Sequence, residues 1–441
     1  MGGAAPRDRA PDRAGPIRVV VTGMGMVSPL GPDVAGSFEA ALAGRSAVRA
    51  APEPMAAGLP GMLVAPAAVD PARLLDAADA GLDRATQLAL AAAAQALGEA
   101  GIQPHPPDSE RFGVFFGIGF GGACTLDAMY ARYHGLLQGD AAARRRATVM
   151  HPLTVPRLMA NAAQGLVSMR YGLRGMGNTY SVACASSAVA AGEALRAIRG
   201  GYLDAAVVLG AEAMLTPGAM VAWNALRVLA RPDPDHPASS CRPFDRRRSG
   251  FVLGEAGAAL VQETEARAGA RGARELAELA GYGASSDAHH LTAPSVSGQV
   301  AAMRQALEQA GLEPADIGYL NAHGTGTDLG DLAEARAVVE VFGSRGPALS
   351  STKAVHGHLI GAGGAVELIL AIQALRSGRL PPSAHLDQPD PRCGALDLIL
   401  GSAREAPGTR AVMSNSFAFG GSNASLVARR APSGLLAGGP A

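Results

Sequence analysis

Two kinds of hydrophobic stretch alternate along this chain: short apolar runs rich in β-branched residues, and longer stretches rich in alanine and leucine. The short runs predict strands and the longer stretches predict helices. Strands are predicted at residues 17–22, 112–118, 205–209, 276–283, 317–322, 348–351, 412–417 and 425–428. Helices are predicted at residues 38–42, 83–100, 188–199, 300–310 and 365–376. This alternation is typical of an α/β protein.

Two stretches fit the alternation poorly. Residues 123–170 contain two prolines and the run Arg144-Arg145-Arg146, and we expect them to form an irregular cap or interface segment. Residues 251–253 and 258–262 predict a hairpin-like pair of strands.

The order of elements repeats, which predicts two βαβ-type halves, residues 17–275 and 276–430. In each half a strand is expected to run into a helix through a tight turn, and both turns would face one central site. Residues 1–16 and 431–441 are predicted to be disordered tails, and residues 1–16 hold no apolar core that would suit a signal peptide.

Cys184 lies at the first of these strand-to-helix turns, among the small residues Ala183, Ala185 and Ser186. Free N–H groups and the positive end of a helix dipole at such a turn favour a thiolate, so we expect a lowered pKa and a usable nucleophile. The alternative is a small buried core residue, which is the commoner place for a free cysteine. Partners elsewhere in the chain must decide between the two.

Composition narrows the classes of function. The chain has 441 residues, 48% of them hydrophobic, and a formal net charge of zero, which favours neither nucleic acid nor a membrane surface as a partner. Its four cysteines are widely separated and lack C-x-x-C spacing, so neither disulfides nor a zinc site are predicted. No run reads as long and apolar enough to cross a bilayer, and a reduced, cytoplasmic setting is expected.

Two of the ten histidines stand in stretches of glycine and small residues, where an imidazole has space beside it for a ligand. They are His323, before Gly-Thr-Gly-Thr, and His358, after a glycine; His356 rivals His358, and the residues alone do not separate them. No His, Cys and Asp set has the spacing of metal ligands, so no metal is predicted.

Charged residues lie close to these histidines in the sequence. Asp331 and Glu334 are three residues apart at the start of a predicted helix, where they can share one face or simply cap it. Lys353 is the only lysine in a chain rich in arginine. Its retention suggests a position where a guanidinium does not serve.

Four motifs in this order resemble the β-ketoacyl-acyl carrier protein synthases of the decarboxylating, Cys-His-His type. They are Val-Ala-Cys-Ala-Ser-Ser at residues 182–187, His-Gly-Thr-Gly-Thr at 323–327, Ser-Thr-Lys to Gly-His at 351–358, and Asn-Ser-Phe-Ala-Phe-Gly-Gly at 415–421. The resemblance covers about residues 17–430 and implies the thiolase fold, with two duplicated βαβαβ halves in an αβαβα layered arrangement. It implies no cofactor.

The resemblance also implies roles for individual residues. Cys184 would be the acylated nucleophile, and His323 and His358 the histidine pair, because the family's histidine directly follows the motif's glycine. Lys353, with Asp331 and Glu334, would support the histidines. The N–H groups of Cys184 and Phe419 would form an oxyanion hole.

The chain also departs from the family pattern. Ala418 replaces a glycine in what is a gating loop in relatives, beside Phe417, and a stiffer gate is expected. Phe120 and Trp223 stand where relatives usually have Ile and Phe near the acyl pocket, so larger rings are expected to shorten or reshape it, although Trp223 could also be core.

The function expected from the resemblance is decarboxylative condensation of an acyl group on Cys184 with malonyl-acyl carrier protein. The pocket and gate departures favour a dedicated type II polyketide system. Housekeeping fatty acid elongation and a non-catalytic, chain-length-factor-like partner subunit are the alternatives. The expected partners are an acyl carrier protein, docking at Arg227, and a second subunit in a homodimer or a heterodimer. Arg144 to Arg146 and Arg246 to Arg248 are further docking candidates on charge alone.

Overall fold

The computed structural model describes residues 17–431, so the predicted tails lie outside it, apart from Ala431. The strands are β1 (Val19–Val27), β2 (Arg49–Ala50), β3 (Leu63–Ala65), β4 (Phe112–Gly117), β5 (Gly177–Tyr180), β6 (Ala205–Glu212), β7 (Leu253–Gly254), β8 (Ala256–Thr264), β9 (Ala277–Ser286), β10 (Ile317–Asn321), β11 (Ala348–Ser350), β12 (Arg379–Leu380), β13 (Asp397–Leu398), β14 (Arg404–Glu405), β15 (Ala411–Phe417) and β16 (Ser422–Arg429).

The α-helices are α1 (Val34–Leu42), α2 (Arg84–Glu99), α3 (Ala123–Leu137), α4 (Ala141–Ala147), α5 (Thr154–Leu158), α6 (Ala162–Tyr171), α7 (Ser186–Arg199), α8 (Pro217–Ala225), α9 (Glu265–Ala270), α10 (Val296–Ala310), α11 (Asp328–Phe342), α12 (Lys353–His356) and α13 (Gly363–Ser377). Capping residues and glycines determine where these helices begin and end. The Asp83 side chain accepts a hydrogen bond from the N–H of Ala85 at the start of α2, and Gly311 ends α10 with φ +62°.

Eleven strands form one sheet whose order reveals two halves. The strands β5-β4-β6-β8-β1 come from the first half of the chain and β9-β16-β15-β10-β11-β13 from the second. The halves join where Val20 and Val21 of β1 pair with Glu278 and Ala277 of β9. Each half mixes parallel and antiparallel pairs, as expected for a repeated unit of strands and helices.

The hydrophobic core is divided into layers. The largest cluster contains α7 and α13 together with strands of both halves, which makes these two helices the middle layer. A second cluster holds α2 against the first half, and a third holds α10 and α11 against the second. With each half of the large sheet counted as one layer, the order of layers is helix, sheet, helix, sheet, helix, as predicted.

Small residues bring the two central helices together. A Cβ on Gly364 would lie 2.6 Å from the backbone nitrogen of Ala188, so α7 and α13 touch near their first turns. Each helix is preceded by a 3₁₀ turn, Ala183–Ala185 and Ile360–Ala362. The contact therefore places Cys184 of one turn next to the segment that begins at His358.

The prediction of an irregular segment at residues 123–170 is wrong, because this stretch forms helices α3 to α6. No residue of α3 is buried, and large apolar side chains of the segment face outward. The exposed ones are Leu126, Tyr130, Leu137, Val149, Met150, Leu153, Val155, Met159 and Met169. A helix that shows apolar side chains outward lacks the one-sided pattern on which helix prediction depends.

The predicted hairpin at residues 251–262 is also wrong. β7 pairs in parallel with β3 in a small separate sheet, whereas β8 pairs with β1 and β6 of the large sheet. Only Glu255 lies between β7 and β8, and one residue cannot reverse the chain.

Within residues 17–431, one helical stretch, Ile360–Ser377, is long and apolar enough to cross a membrane, contrary to the expectation that no run is. Of this stretch, 83% is buried inside the protein. Its apolar character is accounted for by its place in the central layer.

Candidate active site

Cys184 lies in the turn between β5 and α7, with 5% of its surface exposed. Ala183, the residue before it, has φ +49°, an unusual value for a residue with a Cβ. The backbone N–H groups of Phe419 and of Cys184 itself are directed at the thiol. The sulfur is therefore presented at a sharp turn, beside two N–H donors.

Burial raises the pKa of the Cys184 thiol to about 12, so the expectation of a lowered pKa is wrong. Loss of water around the sulfur is the largest cause, and it outweighs the lowering effects of Lys353 and of the Phe419 N–H. At neutral pH Cys184 is therefore a thiol before substrate enters.

His358 is the imidazole in contact with Cys184, with Nε2 3.0 Å from Sγ. The N–H of Ile360 donates to Nδ1 of His358 at 3.3 Å, so Nδ1 is an acceptor and the proton stands on Nε2. The imidazole therefore offers an N–H to the sulfur and does not stand ready to remove its proton.

His323 lies edge-to-face with His358, with 5.5 Å between ring centroids. Burial, followed by the nearby Lys353, lowers the pKa of both histidines well below the usual value. Both are neutral at physiological pH, and Nδ1 of His323 has no hydrogen-bond partner among the described residues. Cys184 thus faces two uncharged imidazoles.

The rival histidine, His356, lies away from this group. It is fully buried, with Nδ1 2.7 Å from the Gly357 carbonyl oxygen and Nε2 3.0 Å from the Thr352 hydroxyl. Both ring nitrogens are occupied, so His356 supports the turn that leads to His358.

Cys184, His323 and His358 are also residue types that bind soft metal ions, and their ligand atoms lie within 4.8 Å of one another. The argument from sequence spacing is therefore incomplete, because packing brings distant residues together. A histidine that binds a metal through Nε2 normally donates from Nδ1, whereas Nδ1 of His358 accepts. The site is thus better suited to an N–H donor than to a metal ligand.

Two buried carboxylates hold the loop that carries His323. Glu334 accepts the N–H groups of His323 at 2.8 Å and Gly324 at 2.7 Å. Asp331 accepts the N–H groups of Gly326 at 3.0 Å and Phe244 at 2.7 Å. They bind the loop before α11, whose N-cap is Thr327, so they do more than cap the helix.

Lys353 pairs with Glu367, and each side chain is 1% exposed. Burial raises the pKa of Glu367 to about 7. Lys353 also lowers the pKa of both histidines, so it lies within electrostatic reach of the site.

Comparison with known proteins decides the family. Residues 17–268 match the family described as the β-ketoacyl synthase N-terminal domain, and residues 276–387 match the C-terminal domain. The chain belongs to the β-ketoacyl synthase family. This synthase is 38% identical over 422 residues to 3-oxoacyl-[acyl-carrier-protein] synthase 2 of Staphylococcus aureus strain MRSA252, which covers 94% of this chain and 98% of the relative. It is 40% identical over 416 residues to nodulation protein E of Rhizobium sp. strain N33, covering 94% and 99%.

Solved structures resemble the synthase over nearly its whole length. A β-ketoacyl synthase from Burkholderia phymatum STM815 has a TM-score of 0.85 and 36% identity, covering 94% of this chain and 100% of its own. The ishigamide ketosynthase/chain length factor has a TM-score of 0.84 and 32% identity, covering 95% and 100%. A type II polyketide ketosynthase in complex with its acyl-carrier protein, AntDE:AntF, has a TM-score of 0.85 and 26% identity, covering 95% and 100%. The thiolase-like fold is confirmed, and the protein is a β-ketoacyl-acyl carrier protein synthase, an enzyme of the acyltransferase class.

In the synthase, the residues predicted to form a gate lie at the same cavity as Cys184 and the two histidines. Phe417, Ala418 and Phe419 line it, and the Phe417 ring centroid is 6.1 Å from that of His323. Ala418 is not among the residues with positive φ. Its Cβ therefore brings no left-handed strain, and the stiffer gate stays a prediction.

Phe120 and Trp223 line a second groove, between α3 and α8. Trp223 is 8% exposed and Phe120 is 65% exposed. Aromatic rings connect this groove to the site: Phe120 to Trp223 at 6.3 Å, Trp223 to Phe251 at 5.7 Å, and Phe251 to His358 at 4.9 Å between centroids. The two predicted pocket residues thus lie at the far end of an aromatic row that begins at His358.

The arginines predicted to dock the carrier protein differ in their exposure to solvent. Arg227 is exposed just beyond α8, and Arg144, Arg145 and Arg146 are exposed on α4. Arg248 is buried, and its guanidinium bonds to Asp390 at 2.6 Å and to Asp328 at 3.0 Å. Arg248 is therefore a structural residue, and its candidacy for docking is wrong.

Two polar residues at the site, Glu367 and Glu212, were missed by sequence reasoning, and a third, Asn415, was recognised only as part of a motif. Asn415 donates to Glu334 at 3.2 Å, and Glu212 binds backbone N–H groups near His358. Glu367 and Glu212 each lie in an otherwise apolar or small-residue stretch, where a lone polar residue is usually interpreted as exposed on the surface. The sole lysine was the one available signal, because a buried ammonium needs a buried acid such as Glu367.

Proposed function

We propose that this enzyme carries an acyl group on Cys184 and condenses it with malonyl-acyl carrier protein in a type II polyketide pathway. The observation that carries the proposal is the Nε2–H of His358, 3.0 Å from Cys184 Sγ, beside a second neutral imidazole. Uncharged N–H donors suit an oxyanion that forms and disappears during the reaction.

In the first step the Cys184 sulfur attacks the thioester carbonyl of an acyl carrier. The new carbon–sulfur bond forms, the carrier thiolate leaves, and the thiol proton of Cys184 ends on the carrier sulfur. The N–H groups of Cys184 and Phe419, both directed at the sulfur, would hold the tetrahedral oxyanion.

In the second step the malonyl group loses carbon dioxide as its carbon–carbon bond breaks, and the electron pair becomes an enolate. Its oxygen would be bound by the N–H groups of His323 and His358. The enolate carbon attacks the carbonyl carbon on Cys184, a carbon–carbon bond forms, and the cysteine thiolate leaves. The thiolate then takes up one proton from water, which restores the thiol. Neutral imidazoles donate hydrogen bonds here without giving up a proton.

The polyketide assignment is supported by the rings of Phe120 and Trp223 at the second groove and by the likeness to the ishigamide and AntDE ketosynthases. A second candidate is fatty acid elongation, favoured by 38% identity to 3-oxoacyl-[acyl-carrier-protein] synthase 2. A non-catalytic partner subunit is disfavoured, because Cys184, His323 and His358 are all present and in contact range.

The proposed partners are an acyl carrier protein and a second subunit, identical or of the chain-length-factor kind. Exposed apolar side chains on α3 to α6 and the edge position of β5 in the sheet support a subunit interface there. Arg227 is proposed to dock the acidic carrier protein. Solved relatives include one in complex with its acyl-carrier protein and one described as a ketosynthase/chain length factor.

The intact mass of purified protein exposed to a panel of acyl-carrier thioesters tests this function. An adduct on wild type that is absent from Cys184→Ala is the expected result, and the accepted acyl groups separate polyketide from fatty acid use. If no donor gives an adduct on folded protein, alone or with a chain-length-factor subunit, the proposed nucleophile is wrong.

A further inference from the structure

Glu212, the last residue of β6, is a fully buried carboxyl group that the condensation described above does not use. Its Oε2 accepts the N–H of Gly119 at 2.7 Å and the N–H of Gly361 at 3.2 Å. The N–H of Phe120 is also directed at this carboxyl, and Oε1 has no partner among the described residues. One side chain therefore joins two loops that are far apart in the sequence.

These two loops are packed too closely for side chains. A Cβ on Gly119 would lie 2.5 Å from Oε2 of Glu212, and a Cβ on Gly361 would lie 2.4 Å from the backbone nitrogen of Gly119. The position of Gly361 is therefore set within narrow limits by the loop at Gly119 and the carboxyl between them.

The residue before Gly361 determines which nitrogen of His358 carries the proton. Ile360 has φ +44°, a conformation that β-branched residues rarely adopt. In this conformation its N–H donates to Nδ1 of His358, which leaves the proton on Nε2, facing Cys184. A strained residue keeps such a conformation only where its surroundings hold it, and Glu212 binds the next N–H along the chain.

We propose that Glu212 is a positioning residue for the condensation: by binding the N–H groups of Gly119 and Gly361, it holds the Ile360 turn that keeps the His358 proton on Nε2. The proposal rests on the proposed function, because it takes His358 to be the donor to the enolate oxygen. It also makes the loop that carries Phe120 part of the same unit as the histidine.

Two substitutions of Glu212 distinguish the effect of its hydrogen-bond acceptor from the effect of its side-chain volume. Glu212→Leu removes every acceptor, whereas Glu212→Gln keeps a carbonyl oxygen. In the leucine variant kcat should fall about 100-fold with KM unchanged. The displaced His358 N–H would no longer stabilise the transition state, whereas substrate binding does not depend on it. The glutamine variant should recover most of the rate.

The second readout is the tautomer of His358, measured by nitrogen NMR on protein with labelled histidine, with the signal assigned from its absence in His358→Gln. Wild type should show the proton on Nε2 alone, and Glu212→Leu should show a mixture of tautomers. A purely structural role for Glu212 would leave the tautomer unchanged.

Glu278→Gln is the matched control, because Glu278 is also buried but pairs with Arg18 and Arg429 away from the site. It should lose stability while keeping kcat and the tautomer. If Glu212→Leu does not fold, Glu212→Asp takes its place. The shorter side chain keeps the carboxyl group but moves its oxygens away from the N–H groups of Gly119 and Gly361.

A folded leucine or aspartate variant with wild-type kcat, or with reduced kcat and an unchanged tautomer, would overturn the proposal. Failure of the proposed function looks different: wild type would then take up no acyl group on Cys184. The tautomer measurement reads the same in either case, because it needs no substrate.

Discussion

Variants of the buried pair Lys353 and Glu367 test separately what the pair contributes to the free energy of unfolding and what it contributes to the rate of condensation. Each side chain is 1% exposed, and the second oxygen of Glu367 has no partner among the described residues. Lys353→Met leaves a lone carboxyl group in the interior. The double variant Lys353→Met with Glu367→Leu replaces the whole pair by apolar side chains of similar size.

Removing one partner of a buried ion pair costs about 3–5 kcal/mol of the free energy of unfolding, whereas replacing both partners by apolar residues is often close to neutral. Burial raises the pKa of Glu367 to about 7 even though Lys353 lowers it, so without Lys353 the pKa rises further. The folded single variant then binds a proton that the unfolded chain, with an ordinary carboxyl pKa, does not hold at neutral pH. Its stability should rise as the pH falls from 8 to 6, by up to about 1.4 kcal/mol per pH unit.

Urea unfolding at pH 6 and pH 8, followed by circular dichroism, measures these differences, and the rate of condensation is measured on the same proteins. We expect the single variant to be unstable and the double variant to return near wild-type stability. Both should be poor catalysts, since the histidines lose the neighbouring cation. If the double variant is as unstable as the single variant, the unpaired Glu367 is not the cause of the instability. If the double variant condenses substrates at the wild-type rate, Lys353 has no chemical role.

Three further predictions follow from the site. Because the pKa of Cys184 is about 12, its alkylation by iodoacetamide should accelerate about tenfold per pH unit from pH 7 to 9 without levelling off, and a plateau in this range would contradict the buried thiol. Ala418→Gly should raise the acylation rate or widen chain-length acceptance in the mass assay; no change in either would exclude a stiffened gate. Arg227→Glu should raise KM for the acyl carrier protein about tenfold or more with kcat kept; the matched control Arg196→Glu, on an exposed arginine of α7, should leave KM unchanged.

Much of the architecture could be predicted because its signals are local. The strands at Phe112–Gly117 and Ala411–Phe417 and the helices at Arg84–Glu99 and Val296–Ala310 begin and end close to where apolar runs, caps and glycines place them. Helices α3 to α6 were missed because their apolar side chains face outward, where a second subunit is proposed to cover them. A pattern of burial cannot be recognised in one chain when the burying surface belongs to another.

The sequence by itself determined the succession of strands and helices, the turn that carries Cys184 and, through motifs, the residues of the candidate site. Only the tertiary structure decided which of them meet. Cys184 and His358 are 174 residues apart, and they touch because α7 and α13 pack at Ala188 and Gly364. The same packing removes water from the thiol and both imidazoles, which reverses the expected pKa shift of Cys184. Propensity and capping depend on neighbours in the chain, whereas solvation and contact depend on what folding brings alongside.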